Sequence, residues 1–188
     1  MDKSIQINVI RSSRKSIAMR ITGPNAIEIR APKNMPQAQI DAFIQQHQSW
    51  LDKHLGIVNR REEEIAQLPP LTDQEIRALA DQALKAIPPR VYHFSKLLHV
   101  TYGRITIRNQ KSKWGSCSSQ GNLNFNCLLM LCPPEVLDYV VVHELCHRKE
   151  MNHSPRFWAE VEAIDPDYKA HRQWLKDEGN KLIARMNK

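Results

Sequence analysis

The sequence predicts an α+β chain on three observations. The N-terminal residues alternate apolar and polar in short runs, a stretch with apolar positions at helical spacing follows, and further strand-like and helix-like segments then succeed one another to the C-terminus. At 188 residues the chain can bury a substantial core, enough for one domain or one domain with a smaller appended lobe. Its 41% hydrophobic and 25% charged residues exclude the disordered class, in which charge outweighs apolar content.

The strand-like runs IQINVI, SIAMRI and AIEIR, with Gly23-Pro24-Asn25 as a turn between the last two, predict a small antiparallel β-meander. From Pro36 the period changes. Ile40, Phe43, Ile44, Trp50, Leu51 and Leu55 recur at helical spacing, so a helix is expected to run to about Leu55. Thr72 followed by Glu75 is a capping box, in which hydroxyl and carboxylate each satisfy a free backbone amide, and it starts a second helix. Pro88-Pro89 should interrupt that helix, with Val91 to Leu98 resuming as a new one. The lobe boundary falls in LPPLT, giving an N-terminal lobe of residues 1–70 and a core of residues 71–188.

RITIR, Arg104 to Arg108, alternates as a strand. A second strand begins in GNLNFNCLLML, after the turn-rich KSKWGSCSSQ. Cys132-Pro133-Pro134-Glu135 opens a helix, since proline is tolerated in a first turn and an acidic side chain there opposes the helix dipole favourably.

No stretch reaches the roughly eighteen consecutive apolar residues of a membrane span, and MDKSIQINVIRSSRKS lacks the apolar run of a secretory signal, so a cytoplasmic protein without membrane attachment is expected. Cys117, Cys127, Cys132 and Cys146 would then remain thiols. The net charge of +7 permits weak nucleic-acid association, but the basic residues are scattered and a solvated basic surface accounts for them.

The chemistry is concentrated in His143-Glu144-Leu145-Cys146-His147, an H-E-x-x-H pattern that follows the apolar run Tyr139-Val140-Val141-Val142. Positions four apart on a helix lie about 40° and 6 Å from each other, so both imidazoles reach one ion at about 2.0 to 2.1 Å. Glu144, offset by one residue, is free to act on a water. A catalytic zinc site takes three protein ligands and keeps one position open, and His153, six residues after His147, is the third donor by the H-E-x-x-H-x-x-G-x-x-H interval. Glu150 stands where that pattern has its turn glycine, so Met151-Asn152 is expected to make the reversal, with asparagine suited to left-handed geometry. Ser154-Pro155 then reads as an N-cap and first helical position.

Among the other histidines, His47, His54, His93 and His99 read as surface or satisfied core. His171, on a helix after Asp165-Pro166, has a weaker claim to an acid-base or oxyanion role. Cys146 points about 100° away from His147 and reads as core.

Through KSKWGSCSSQGNLNFN, PPEVLDYVVVHELCHRKEMNHSPRFW and DYKAHRQWL, covering roughly Arg104 to Gly179, the sequence resembles the YgjP-like metallopeptidases, relatives of the SprT-like zinc proteases. The resemblance implies a zincin-like core, in which a small mixed sheet packs on the H-E-x-x-H helix with an edge strand along the cleft. It also implies zinc on His143, His147 and His153, Glu144 as general base, and peptide or protein substrates. If GNLNFN were that edge strand, a peptide could add to it by backbone pairing. The conspicuous Trp114-Gly115-Ser116-Cys117 receives no chemical step from this reading. Two rival functions remain: a nucleic-acid-associated protein with a structural or vestigial zinc site, and a zinc hydrolase of a non-peptide amide or ester.

Overall fold

Nearly three-quarters of the way along the chain, one helix buries most of its side chains, from Val136 to Cys146, and the C-terminal part of the molecule is built around it. The computed structural model describes residues Ser4–Met186, which divide into two compact units between Leu68 and Pro69.

In the first unit, β1 (Gln6–Ser12), β2 (Ala18–Gly23) and β3 (Ala26–Pro32) form a mixed sheet in the order β1-β3-β2. It is not the antiparallel meander expected from the sequence: β1 runs parallel to β3, and only β2 is antiparallel to it. The reason lies in β3, whose Ile27, Ile29 and Ala31 are fully buried and take the centre, whereas β1 and β2 are half-exposed and suit the edges. Asn25 makes the β2–β3 turn in left-handed geometry, φ 48°. The single helix expected to Leu55 is two, α1 (Gln37–Gln46) and α2 (Gln48–Gln67), separated at His47, whose Nδ1 bonds the Phe43 carbonyl. Ile40, Leu51 and Leu55 complete this core.

The second unit opens with α3 (Asp73–Leu97), started by the Thr72–Glu75 capping box: Thr72 N donates to the Glu75 carboxylate at 2.8 Å and Glu75 N to the Thr72 hydroxyl at 3.2 Å. Contrary to the expected break, the helix continues through Pro88 and Pro89. The carbonyls these prolines leave without an amide partner belong to Leu84 and Lys85, both solvent-exposed, while Leu79, Ala83, Ile87 and Val91 hold the other face in the core.

A second mixed sheet has the order β4-β6-β5, from β4 (Ile105–Arg108), β5 (Gly115–Cys117) and β6 (Leu123–Asn126). β4 pairs parallel and β5 antiparallel with β6. GNLNFN is therefore the central strand, and the cleft edge comes from Trp114-Gly115-Ser116-Cys117, in the segment read as turn-rich. Leu123, Phe125 and Asn126 are buried on both sides, which is incompatible with an edge. After β6 the chain makes a 3₁₀ turn (Cys127–Leu131) and enters α4 (Pro134–Cys146), the motif helix. Then come α5 (Pro155–Ile164), α6 (Tyr168–Trp174), a π-helical turn (Leu175–Gly179) and α7 (Asn180–Met186). No helix of the described residues is long and apolar enough to cross a membrane.

Candidate active site

The α4 helix carries His143 and Glu144 in its last turn and ends with His147 as its C-cap. Arg148, Lys149 and Glu150 fold back in tight turns, their amides bonding the Leu145 and Cys146 carbonyls at 2.9 to 3.0 Å. The reversal to His153 uses no left-handed residue, since Asn25 and His99 alone among described non-glycine residues have positive φ, so Asn152 does not play the part expected of it. Ser154 then caps α5, its hydroxyl accepting from Phe157 N at 3.3 Å.

This path brings His143, His147 and His153 together, with one ring nitrogen from each within 4.8 Å of the others. Their ring centroids form a near-equilateral triangle of 5.1, 5.0 and 4.9 Å. Nε2 of His153 lies 3.1 Å from Nε2 of His143. Two donors bound tetrahedrally at about 2.0 to 2.1 Å stand about 3.3 Å apart, so the spacing fits one small ion. The rings are prepared for that role. His147 Nδ1 lies 3.1 Å from the Glu150 carbonyl, an acceptor that fixes the proton on Nδ1 and leaves Nε2 with its lone pair. Burial lowers the pKa of His143 to about 3, with the His147, His153 and Arg172 charges adding to it, and burial lowers His147 as well. Neutral imidazoles are what a metal requires. Phe157 packs edge-on against His143 at 4.9 Å, and Trp158 stacks on His153 at 5.7 Å.

Glu144 is 5% exposed, and burial raises its carboxyl to about 8, with Lys113 opposing. It reaches the cleft beneath β5, where Gly115 lets the strand lie against the carboxylate: a Cβ on Gly115 would stand 2.6 Å from Glu144 Oε1. Asn126 N donates to the Trp114 carbonyl and Ser118 N to the Asn122 carbonyl. Along an antiparallel pair these inward bonds alternate, so the amides and carbonyls of Gly115 and Cys117 turn to the outer edge. Lys113, Gly115, Ser116, Cys117, His143, Glu144, His147, Met151 and His153 line one cavity of about 280 Å³.

A family match decides the assignment: the YgjP-like, metallopeptidase domain family matches residues 15–76 and 69–178. The chain belongs to the YgjP-like metallopeptidase family. No match was found among curated proteins. Among solved structures, this YgjP-like chain is similar to the metallopeptidase zymogen of Pyrococcus abyssi abylysin, at 26% identity and TM-score 0.44, over 48% of this chain and 93% of that one. It is also similar to the metallopeptidase zymogen of Methanocaldococcus jannaschii jannalysin, at 25% identity and TM-score 0.41, over 48% and 95%.

Of the remaining histidines in this unit, His171 lies near the YgjP-like site. Its Nδ1 is held by Asp165 at 2.8 Å and its ring lies 6.3 Å from that of Tyr139, one helical turn before His143. Cys146 is buried, its thiol pushed up to about 12, and the four cysteines are all free. What residue-by-residue reading missed was Gly115. Its signal was present in the Trp-Gly-Ser-Cys run, but only pairing with β6 reveals which group it approaches.

Proposed function

We propose that this metallopeptidase holds zinc on His143, His147 and His153 and hydrolyses peptide bonds with Glu144 as general base. The observation that carries the reading is the convergence, in one cleft, of three imidazoles, a buried carboxylate and a strand edge with outward backbone groups. Three nitrogen donors suit zinc, and a bound zinc ion supplies Lewis acidity toward the scissile carbonyl and toward water. Glu144, whose proton affinity burial brings near neutrality, takes a proton from the attacking water and returns it to the leaving amine. The Gly115 and Cys117 edge pairs with an extended peptide as an added strand, holding its backbone against Glu144. On this reading the peptidase chemistry resides in residues 71–188.

Elemental analysis of the wild type and His153→Ala, run beside a peptide-library cleavage assay, tests the assignment. About one zinc per chain, lost or weakened in the variant, together with cleavage by the wild type, is the expected result. Glu144→Gln should retain zinc and lose about 10²- to 10⁴-fold in turnover. Zinc binding indifferent to His153 would remove the ligand set, full turnover in Glu144→Gln would remove the base, and cleavage of esters or non-peptide amides alone would redirect the substrate class.

A further inference from the structure

Lys113 stands two residues before Gly115 at the entrance to the edge strand. Both residues line two neighbouring cavities, the one of about 280 Å³ that the histidines share and a second of about 240 Å³ walled in part by Trp114, Tyr139 and Leu175. His143 and Glu144 are the other residues common to the two. Among the described residues, Lys113 is the one lysine or arginine that lines either cavity, and Glu144 is the one carboxylate. With a divalent ion on His143, His147 and His153, the cleft is therefore positive whichever way Glu144 is protonated.

The main chain under Lys113 is held from the core. Asn126, fully buried in the central strand, donates through Nδ2 to the Gln110 carbonyl at 2.7 Å and to the Lys113 carbonyl at 2.9 Å, and its backbone amide donates to the Trp114 carbonyl at 2.8 Å. Its Oδ1 accepts from Leu128 N at 3.1 Å, so the polar groups of this buried side chain are satisfied. The Lys113 side chain beyond that clamp is uncommitted. The residue is exposed, no carboxylate of the described residues forms an ion pair with it, and its charge acts on Glu144. An ammonium on a four-carbon stem is a mobile point charge. An oxyanion stabiliser must be set in place before the reaction, which a mobile charge is not. A carboxylate that different substrates present at different places is a better match for it.

We propose that Lys113 is a specificity-determining residue that favours substrates carrying a carboxylate near the scissile bond, either an acidic side chain or the free C-terminus of a short peptide. The proposal rests on the reading of the cleft as a peptide site. A carboxylate reaching Lys113 is attracted by the ammonium and by the bound ion together, whereas a lysine or arginine side chain there meets like charge. Because Lys113 borders both cavities, it serves a carboxylate on either side of the scissile bond.

The test separates binding from turnover. End-blocked fluorescent pentapeptides with Gln, Glu or Lys at each position in turn, together with an all-neutral peptide bearing a free C-terminal carboxylate, are titrated into zinc-loaded Glu144→Gln protein. Cleavage of the same peptides is measured with the wild type. At least one carboxylate-bearing peptide should bind about three- to fivefold more tightly than its neutral counterpart, the scale of a pair between partly exposed charges, and its Lys counterpart more weakly. Raising salt from about 0.05 M to about 0.5 M should bring that ratio toward one. Lys113→Gln in the same background should abolish the preference at unchanged zinc content, and Lys113→Arg should keep it. A preference for the acidic side chain supports an internal carboxylate as the ligand, and a preference for the free C-terminus supports an end-anchored one. Equal binding across the series, a preference that survives Lys113→Gln, or one that Lys113→Arg loses overturns the proposal. A Lys113-dependent preference in a protein that cleaves nothing supports the anchor and removes the hydrolytic reading; intact cleavage with no preference does the reverse.

Discussion

Gly115 and Glu144 are in contact across the cleft, so close that the smallest side chain on the glycine would meet the carboxylate at 2.6 Å from Oε1, 2.8 Å from Cγ and 2.9 Å from Cδ. The edge strand and the buried acid can occupy their positions together only because residue 115 has no Cβ.

Gly115→Ala should therefore displace Glu144 or the strand while leaving the three histidines in place. The expected outcome is a loss of about 10²-fold in kcat/KM, the scale on which ångström-sized misplacements act, with zinc content at wild-type level. Elemental analysis beside steady-state kinetics checks it. Wild-type kinetics in the alanine variant would show that the contact relaxes without functional cost.

Arg148, next to the last histidine of the motif, ties α4 to the β5–β6 hairpin. Its Nε donates to the Thr101 carbonyl at 3.0 Å and its Nη1 to the Ser119 carbonyl at 3.1 Å. Gly121, at φ +82°, leaves room for the guanidinium, which a Cβ would approach at 2.8 Å. Gly121→Ala meets both a left-handed backbone and this clash and should cost about 1–2 kcal/mol or more from the backbone alone, read as a lowered denaturation midpoint. Arg148→Lys cannot keep both carbonyls with one ammonium and should raise KM for extended peptides more than it lowers kcat, because it loosens the strand on which they pair. An unchanged KM would detach Arg148 from substrate positioning.

Glu28, 8% exposed on the outer face of the N-terminal sheet, accepts from Arg30 at 2.8 Å and pairs with Arg20 at 2.9 Å. The Arg30 hydrogen bond, with Arg20 beside it, holds its carboxyl below the usual 4.5. An acid with a depressed folded-state pKa stabilises the fold above its unfolded value, and that contribution is lost as pH falls through the lower, folded one. Glu28→Gln should thus lower the melting temperature at pH 7 and flatten its decline below about pH 4.5. Melting curves of both proteins between pH 3 and pH 7 measure this, and parallel declines would exclude Glu28 from the acid response.

The convergence of the three histidines was legible because its information is local. Four residues of helix bring His143 to His147, and six further residues with a serine cap return His153. The capping box at Thr72 and Glu75 was legible for the same reason. Features set by pairing between distant segments were not. The Gly115–Cys117 strand has poor strand formers and owes its conformation to β6, and the parallel partnership of β1 with β3 depends on which strand carries the most buried side chains. Pro88-Pro89 obeyed the local rule in composition and broke it in outcome, because burial of Ile87 and Val91 outweighs the missing amides.

That last exception bears on how the catalytic unit assembles. Each proline inside a helix costs about 3 kcal/mol relative to alanine, so the middle of α3 has little capacity to persist as an isolated segment. It becomes favourable only once Leu79, Ala83, Ile87 and Val91 dock into the core that they share with Val136, Val140 and Leu145 of the motif helix. The longest helix of the protein is thus a product of collapse rather than its nucleus. Formation of α3 and enclosure of the helix bearing His143 and Glu144 become one cooperative event, and a chain lacking either element would not present a half-built active site.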